Sequence, residues 1–362
     1  MMEESKWHEL PVEVLELIMN KIASMDILRF EAVCSSWKLA AKSYVASPYY
    51  NPLPQTPWLM LRNNQEDKKS WRFFSLEEKR VYTIKNVFEG FQDDWCVGSS
   101  HGWLLIMDSK AVFNLVNPIA RATIGLPDIQ TLPEFTTNFS GDHIFKTAVS
   151  LDPSRNKNFV MALLATRPSR LAFYKHEDKT WKSLELGKVY EDIIFHHGQL
   201  YALRWNGEVA VWDFKKPLPV KTTYLQNSAY VGSIRASYLV ESLGDILQVQ
   251  RILQKDMFGD SYITSHFRVF RMNITTANWE RLESLGERIL FWGRHGSITS
   301  SALDFTELNE NSIYHYDNGT SHNVGAYSLT QKNMEPVYKF EKWRTDRVPF
   351  WIVPDLCLSY SP

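Results

Sequence analysis

Cysteine is scarce in this chain of 362 residues. Cys34, Cys96 and Cys357 stand far apart, form no CxxC pair and cannot make an even disulfide set. That excludes a disulfide-stapled secreted scaffold and fits a reducing compartment. An excess of charge of one sign is missing as well: 40 Lys and Arg oppose 41 Asp and Glu, for a formal net charge of -1. No whole-molecule field therefore draws the protein to a phosphate backbone or an anionic bilayer, and neither nucleic acid nor membrane is expected as a partner. Long apolar runs are absent; the longest, around Val160 to Ala165, falls far short of the roughly 20 residues that span a bilayer. The opening MMEESKWHEL is acidic and has neither the basic nor the apolar region of a signal peptide, so the expected location is nuclear or cytoplasmic. On that expectation the sequons at Asn138, Asn273 and Asn318 carry little weight.

What is abundant is aromatic surface. Hydrophobic residues at 44% and charged residues at 22% are ordinary for a folded protein, but 14% aromatic with 13 Trp is high and favours strands. The length suits one large domain and one small one, because a single core stops growing near about 250–300 residues.

The small unit is helical and comes first. From Pro11 to Ile22 the apolar residues Val14, Leu15, Ile18 and Ile22 recur at helical spacing among Glu13, Glu16 and Lys21, and Pro11 suits a first turn. A second helix is expected to open at Asp26, with its carboxylate as cap, and to carry Ile27, Leu28 and Phe30. A third is expected around Ser35 with Trp37, Leu39 and Ala40. Below about 50 residues a lone core is marginal, so apolar surface in excess of what three short helices can hide points to a permanent partner. Cys34, with no His near it in the segment, reads as a small buried apolar group and not as a nucleophile.

The pattern Trp7, Leu10-Pro11, Glu13-Val14-Leu15, Ile18, Ile22, Asp26, Leu28-Arg29, Val33-Cys34 and Trp37 resembles the F-box, in which a Leu-Pro pair opens helix one and a Val-Cys-x-x-Trp run sits near helix three. The resemblance implies a module that binds a Skp-type linker, which tethers it to a cullin scaffold carrying the RING subunit and the charged ubiquitin-conjugating enzyme. By position it implies that Leu10, Pro11, Leu15, Ile18, Leu28, Val33, Cys34 and Trp37 face the linker or support the face that does.

After Pro48, Pro52, Pro54 and Pro57 the pattern changes to short runs of Val, Ile, Tyr, Phe and Trp separated by turn residues. A strand–turn–strand unit recurs six times, at WRFFSLEEKRVYTI, VFNLVNPIARATI, LAFYKHEDKTWKSLEL, VAVWDFKKPLPVKTTYL, FRVFRMNITTANWERL and GAYSLTQKNMEPVY. Between the copies lie further hairpin candidates: WCVGSSHGWLLIM, KTAVSLDPSRNKNFVMALLA, EDIIFHHGQLYALR, ASYLVESLGDILQVQRIL, and the pair LFWGRHGSITSSA with NSIYHYD. Two hairpins per unit make a four-stranded propeller blade, and the spacing of roughly 52 residues is close to the ~50 of a kelch-type unit. The fold expected is therefore mainly β with a small N-terminal α module: a three-helix F-box over residues 1–48 and a six-bladed kelch-like β-propeller over 49–362. A propeller must close on itself to remove its edges, so FWIV near Phe350 is expected in the same blade as WLMLR near Trp58. The Gly-Gly doublet of standard kelch repeats is missing, and the Trp-Asp dipeptide occurs once, at Trp212-Asp213, without the rest of its signature.

With GSSHGWLL, VNPIARATIGLP and above all LGERILFWGRHGSITSSALDFTELNENSIYHYDN followed by VGAYSL and EPVYKF, the whole chain resembles plant F-box proteins with a C-terminal kelch-like propeller. The resemblance implies a non-catalytic substrate-recognition subunit of a cullin-RING, SCF-type, E3 ubiquitin ligase, whose propeller holds a protein substrate. The runner-up reading is a propeller enzyme or small-ligand binder with a vestigial F-box.

That runner-up has one motif in its favour. Gly98-Ser99-Ser100-His101-Gly102 fits the GxSxG form of a nucleophile elbow, but the elbow needs strand, turn and helix, whereas Trp103-Leu104-Leu105-Ile106 reads as strand; a hairpin is expected. Asp152, Ser154, Asn156 and Asn158 alternate like the start of a calcium loop, yet Lys157 and Leu163 stand where Gly and Glu are required, so a solvated hairpin tip is expected. His196-His197, His315 and His322 lack the partners and spacing of a zinc site, and no metal or cofactor is assigned. Asn206-Gly207 and Asn318-Gly319 read as hairpin turns, and Arg294-His295 with Asp304 as residues that line a propeller face or tie a loop to its neighbour.

Overall fold

The computed structural model describes residues 7–51, 53–61, 70–85, 95–108, 110, 112–132, 144–166, 169–216, 218–224, 235–255, 262–293, 296–316, 323–340 and 349–356. A 3-10 turn at Trp7–Glu9 leads into α1 (Val12–Met19), α2 (Ser24–Glu31) and α3 (Ser35–Ala46). The first helix is shorter than its apolar spacing predicts, because Asn20 closes it and the chain turns before Ile22. Asp26 does not cap α2. The cap position is Ala23, and Asp26 lies within the first turn, where a carboxylate still favours the helix N-terminus and where it reaches Arg29.

Six sheets follow. Blade one contains β1 (Trp58–Leu61), β2 (Ser70–Ser75) and β3 (Arg80–Lys85); blade two β4 (Trp95–Ser100), β5 (Trp103–Met107), β6 (Phe113–Asn117) and β7 (Ala122–Gly125). Blade three holds β8 (Ile144–Val149), β9 (Val160–Thr166), β10 (Ser169–Lys175) and β11 (Lys182–Leu186); blade four β12 (Asp192–His196), β13 (Gln199–Leu203), β14 (Val209–Asp213) and β15 (Val220–Tyr224). Blade five is β16 (Arg235–Ser242), β17 (Asp245–Lys255), β18 (Tyr262–Asn273) and β19 (Asn278–Leu282). The sixth contains β20 (Arg288–Trp292), β21 (Ile298–Ser301), β22 (Ser312–Tyr316), β23 (Val324–Ser328) and β24 (Asn333–Tyr338), and β25 (Phe350–Ile352) ends the series.

The six recurrent sequence units are the outer hairpins of the six blades, and the closing strand falls where its sequence places it. β25 pairs antiparallel with β1, Trp58 opposite Ile352 and Met60 opposite Phe350, so the last strand completes the first blade. Trp351 is the seam. Its indole donates to the carbonyl of Trp292 in blade six at 2.9 Å, and its own carbonyl accepts from Ser99 Oγ in blade two at 2.8 Å. A second clamp holds the opposite half of the ring. Asp192 on β12 pairs with Lys146 on β8 at 2.8 Å and accepts from the backbone N–H of Leu239 on β16 at 2.7 Å, which joins blades three, four and five through one buried carboxylate. Burial pushes the Asp192 carboxyl above the usual range, against the opposing pull of Lys146 and the backbone donors.

Blade six departs from the expected pair of hairpins. Its order is β21-β20-β22-β23-β24, five strands, with β20 and β22 parallel. LFWG and NSIYHYD therefore run side by side in one direction, and the ITSS segment folds back along β20 as an additional strand packed beside β16. The Asp152 tip is more than a solvated turn: its carboxylate accepts from Ser154 and from the indole of the buried Trp103.

Candidate protein-docking face

In α1 the sequence VEVLELIM has only Glu13 and Glu16 as polar residues, so it carries more apolar side chains than α2 and α3 can bury. Leu15 and Met19, four residues apart, are both 1% exposed and meet Ile27, Phe30, Ala40, Ala41 and Tyr44 from α2 and α3. What remains points outward: Val12, Val14 and Leu17 on α1, Val33 after α2, Leu39 on α3 and Trp7 ahead of them, with Leu17 at 66% and Leu39 at 73% exposure. Seven of the eighteen large apolar side chains exposed among the described residues lie between Trp7 and Tyr49. Single exposed leucines need no explanation, but this density in so short a segment is the signature of a surface built to be covered.

The eight residues assigned from the sequence divide into three kinds. Leu15 is inside the module and can only support a docking face. Leu10, Ile18, Leu28 and Trp37 are half-buried against the same core. Pro11 and Val33 are exposed. Trp37 stacks on Phe30 with centroids 4.2 Å apart and donates its indole N–H to the carbonyl of Trp7 at 3.0 Å, while Ser36 Oγ donates to the carbonyl of His8 at 3.2 Å. These bonds pin the N-terminal turn against α3. Cys34 is not a buried apolar group. It occupies the N-cap position of α3, half-buried, and its thiol is held below the usual range by the Ser36 hydroxyl and then by the backbone N–H of Trp37. Leu17 and Leu39, the most exposed leucines of the module, were not among the eight, which the F-box resemblance supplied by position.

The module does not hang from the propeller on a tether. One apolar cluster runs from Leu15, Met19, Ile27 and Phe30 through Tyr44 and Tyr50 to Trp58, Met60, Trp71 and Phe73 of blade one and Leu104, Ile106 and Val116 of blade two. Around its rim Arg29 reaches Asp26 at 2.5 Å, Glu78 at 3.2 Å and the Tyr82 hydroxyl at 2.6 Å, and Tyr82 stacks on Trp58 at 4.8 Å. The bond to Asp26 and the neighbouring Glu78 and Tyr82 hold the Arg29 guanidinium above its ordinary range. Burial lifts Glu78, but its bonds from Tyr82 and Arg29 outweigh that and keep it below the carboxylate range.

The propeller offers a second concavity. The inner strands enclose a channel cavity of about 290 Å³ that includes Ser99, His101, Thr147 and Glu241. The GxSxG motif borders it as a hairpin: Ser100 pairs with Trp103, and His101 and Gly102 make the turn at φ of 50° and 76°. Blades four and five use the same two-residue turn at His197-Gly198 and Leu243-Gly244. With strand on both sides the motif is not a nucleophile elbow. Among the described residues no group of three His, Cys, Asp or Glu is placed to hold a metal ion. Asp304 is exposed in a turn; Arg294-His295, His322 and Asn318-Gly319 lie outside the described residues.

A helical module with an uncovered apolar surface, fused to a six-bladed ring, is the arrangement of an F-box protein with a C-terminal propeller. Residues 7–45 match the F-box domain and residues 73–328 the KIB1-4 beta-propeller, and the chain belongs to the KIB1-4 β-propeller family of F-box proteins. It is similar along nearly its whole length to three proteins of Arabidopsis thaliana. It is 24% identical over 348 residues to F-box/kelch-repeat protein KIB1, covering 92% of this chain and 86% of that one. To putative F-box protein At4g22660 it is 25% identical over 380 residues, covering 92% and 93%. To putative F-box protein At5g55150 it is 26% identical over 370 residues, covering 97% of each. An F-box joined to a propeller is the organisation of substrate receptors in SCF ligases generally; such proteins are typically non-catalytic adaptors, and the F-box implies a Skp-type adaptor as partner.

Proposed function

We propose that this protein is the substrate-recognition subunit of a cullin-RING ubiquitin ligase, with residues 1–48 docking a Skp-type linker and residues 49–362 holding a target protein, in the nucleus or cytoplasm. The observation that carries the reading is the combination of an uncovered apolar surface on the helices with a core continuous into blades one and two. Such a receptor contributes no acid, base or nucleophile. Its work is geometric: a stiff link between linker and target fixes the distance from a substrate lysine to a ubiquitin thioester and so raises the effective concentration of one for the other. Stiffness matters because a mobile joint would spread that concentration over a larger volume.

The test is capture. Tagged full-length protein expressed in plant cells should co-purify a Skp-type linker and a cullin. The variant L17E/L39E should lose both while its melting temperature stays close to wild type, since exposed substitutions away from special features shift stability by no more than about 0.5 kcal/mol. Undiminished capture by a folded L17E/L39E would place the linker elsewhere and refute the assignment of the face.

A further inference from the structure

Blade five is longer than its neighbours. β17 has 11 residues and β18 has 12, where the strands of the other blades have three to seven. The outer strand does not keep pace: β19 pairs with β18 only from Val269 to Asn273. Ahead of that ladder β18 is bonded to β17 on one side, and among the described residues no strand pairs with the other side of Ser265–Arg268. A row of backbone donors and acceptors left open at a sheet edge is a template for another strand, and folded proteins normally cover it.

This edge borders a concavity. A cleft of about 400 Å³ lies between Ser265–Arg268, the end of β19 and the start of the outer turn of blade six, and the buried Tyr327 and Leu329 contribute apolar surface to it. Its ionic groups are unequal in number. Arg268, Arg281 and Lys332 face it with a single acid, Glu283, which sits 2.9 Å from Arg281 Nε and 3.4 Å from Lys332 Nζ. Those two pairs are more than half exposed on both sides, so water screens them and an incoming anion can exchange with Glu283 at little cost. The same field reaches His266, whose imidazole is held below the usual range by burial and then by Arg268 and Arg281.

We infer that the Ser265–Arg268 edge and the basic cleft beside it form a docking site for an extended acidic peptide segment, which adds to blade five as a further strand. Backbone bonds to the edge supply affinity, and carboxylates at alternate positions, falling on one face of the added strand, meet Arg268, Arg281 and Lys332. Within the receptor reading this assigns the substrate's chemical class, an acidic stretch of a target protein. The binding itself does not involve the F-box helices, so the two claims fail separately.

The experiment uses the full-length chain and a fluorescein-labelled peptide of about ten residues alternating Glu and Val, with an alternating Lys and Val peptide as control. Fluorescence polarisation should report binding of the Glu peptide and not of the Lys peptide. R268E/K332E, with both changes at side chains that are partly or fully exposed, should weaken the Glu peptide by at least about tenfold while linker capture is unchanged. Hydrogen exchange should show the amide of Phe267, the residue of this stretch whose N–H faces the open edge, slowed by the Glu peptide and not by the Lys peptide. No binding of the Glu peptide, equal affinity for both peptides, or full affinity in R268E/K332E would each overturn the inference. Loss of linker capture in the wild type, with peptide binding intact, would sink the receptor reading and leave the edge site standing.

Discussion

Replacing Lys146 with Met removes one half of the ion pair that joins three blades. Lys146 and Asp192 are both buried, 3% and 0% exposed, and their charged atoms lie 2.8 Å apart. In K146M the packing volume is roughly kept, but the Asp192 carboxylate is left in the ring with only the N–H groups of Ile193 at 2.8 Å and Leu239 at 2.7 Å. Orphaning a buried charge in this way costs about 3–5 kcal/mol. Equilibrium urea unfolding followed by tryptophan fluorescence measures it. The double variant K146M/D192N, which removes both charges and keeps an amide oxygen for one of the two donors, should be more stable than K146M by at least about 1 kcal/mol. The pH dependence has a definite sign. A carboxyl whose folded pKa is raised binds protons more readily folded than unfolded, so the folded state loses stability as pH rises from the unfolded value of about 3.9 through the folded one. Removing Lys146 raises the folded value further, so the deficit of K146M relative to wild type should be smaller at pH 5 than at pH 8. A deficit below about 1 kcal/mol, or one that grows on acidification, would refute the clamp.

Three further outcomes follow from the same contacts. W351A deletes the largest side chain of the closing strand together with its bond to Trp292, and should cost about 3–5 kcal/mol in the same assay; a loss under about 1 kcal/mol would mean that the ring does not depend on this seam. R29A should leave the module docked, with a melting temperature within a few degrees of wild type, because its ion pairs are about half exposed and each contributes at most about 1 kcal/mol; release of the helices to protease in R29A would show that the apolar cluster is not what holds them. Glu78, held below its ordinary range, contributes stability that is present above the unfolded carboxyl pKa and is lost as pH falls through the folded value, so an acid titration of stability should flatten in R29A.

The parts of the fold that were legible in the sequence are those in which one residue's preference decides its place. Aromatic and β-branched runs broken by polar turns marked all six outer hairpins, and FWIV marked the closure, because a strand that short and apolar must be covered on both faces. The missing glycine doublets did not mislead, since the outer turns place Lys79, Arg121, Ala277 and Lys332 at positive φ instead. Blade six was not legible. Alternation identifies a strand but not the direction of its neighbour, and nothing in LFWG and NSIYHYD distinguishes the parallel pair from a hairpin. The proposed docking face was half legible: spacing marked Val14, Leu15 and Ile18 as a helical stripe and the F-box resemblance added Trp37, but neither told which of them face outward, and Leu17 was settled only by which side α2 and α3 occupied. The edge at Ser265–Arg268 left no local mark at all, because it arises from the unequal lengths of β18 and β19, which no single residue type sets.

The account turns on whether the helices at the front are covered by a companion protein while the ring behind them is left free. Hydrogen exchange on the full-length chain with and without a purified Skp-type linker tests this directly. Slowed amide exchange confined to α1 and α3, with the strands of the propeller unchanged, is the expected result. Protection spread over propeller strands with the helices unaffected, or no change anywhere at saturating linker, would contradict it.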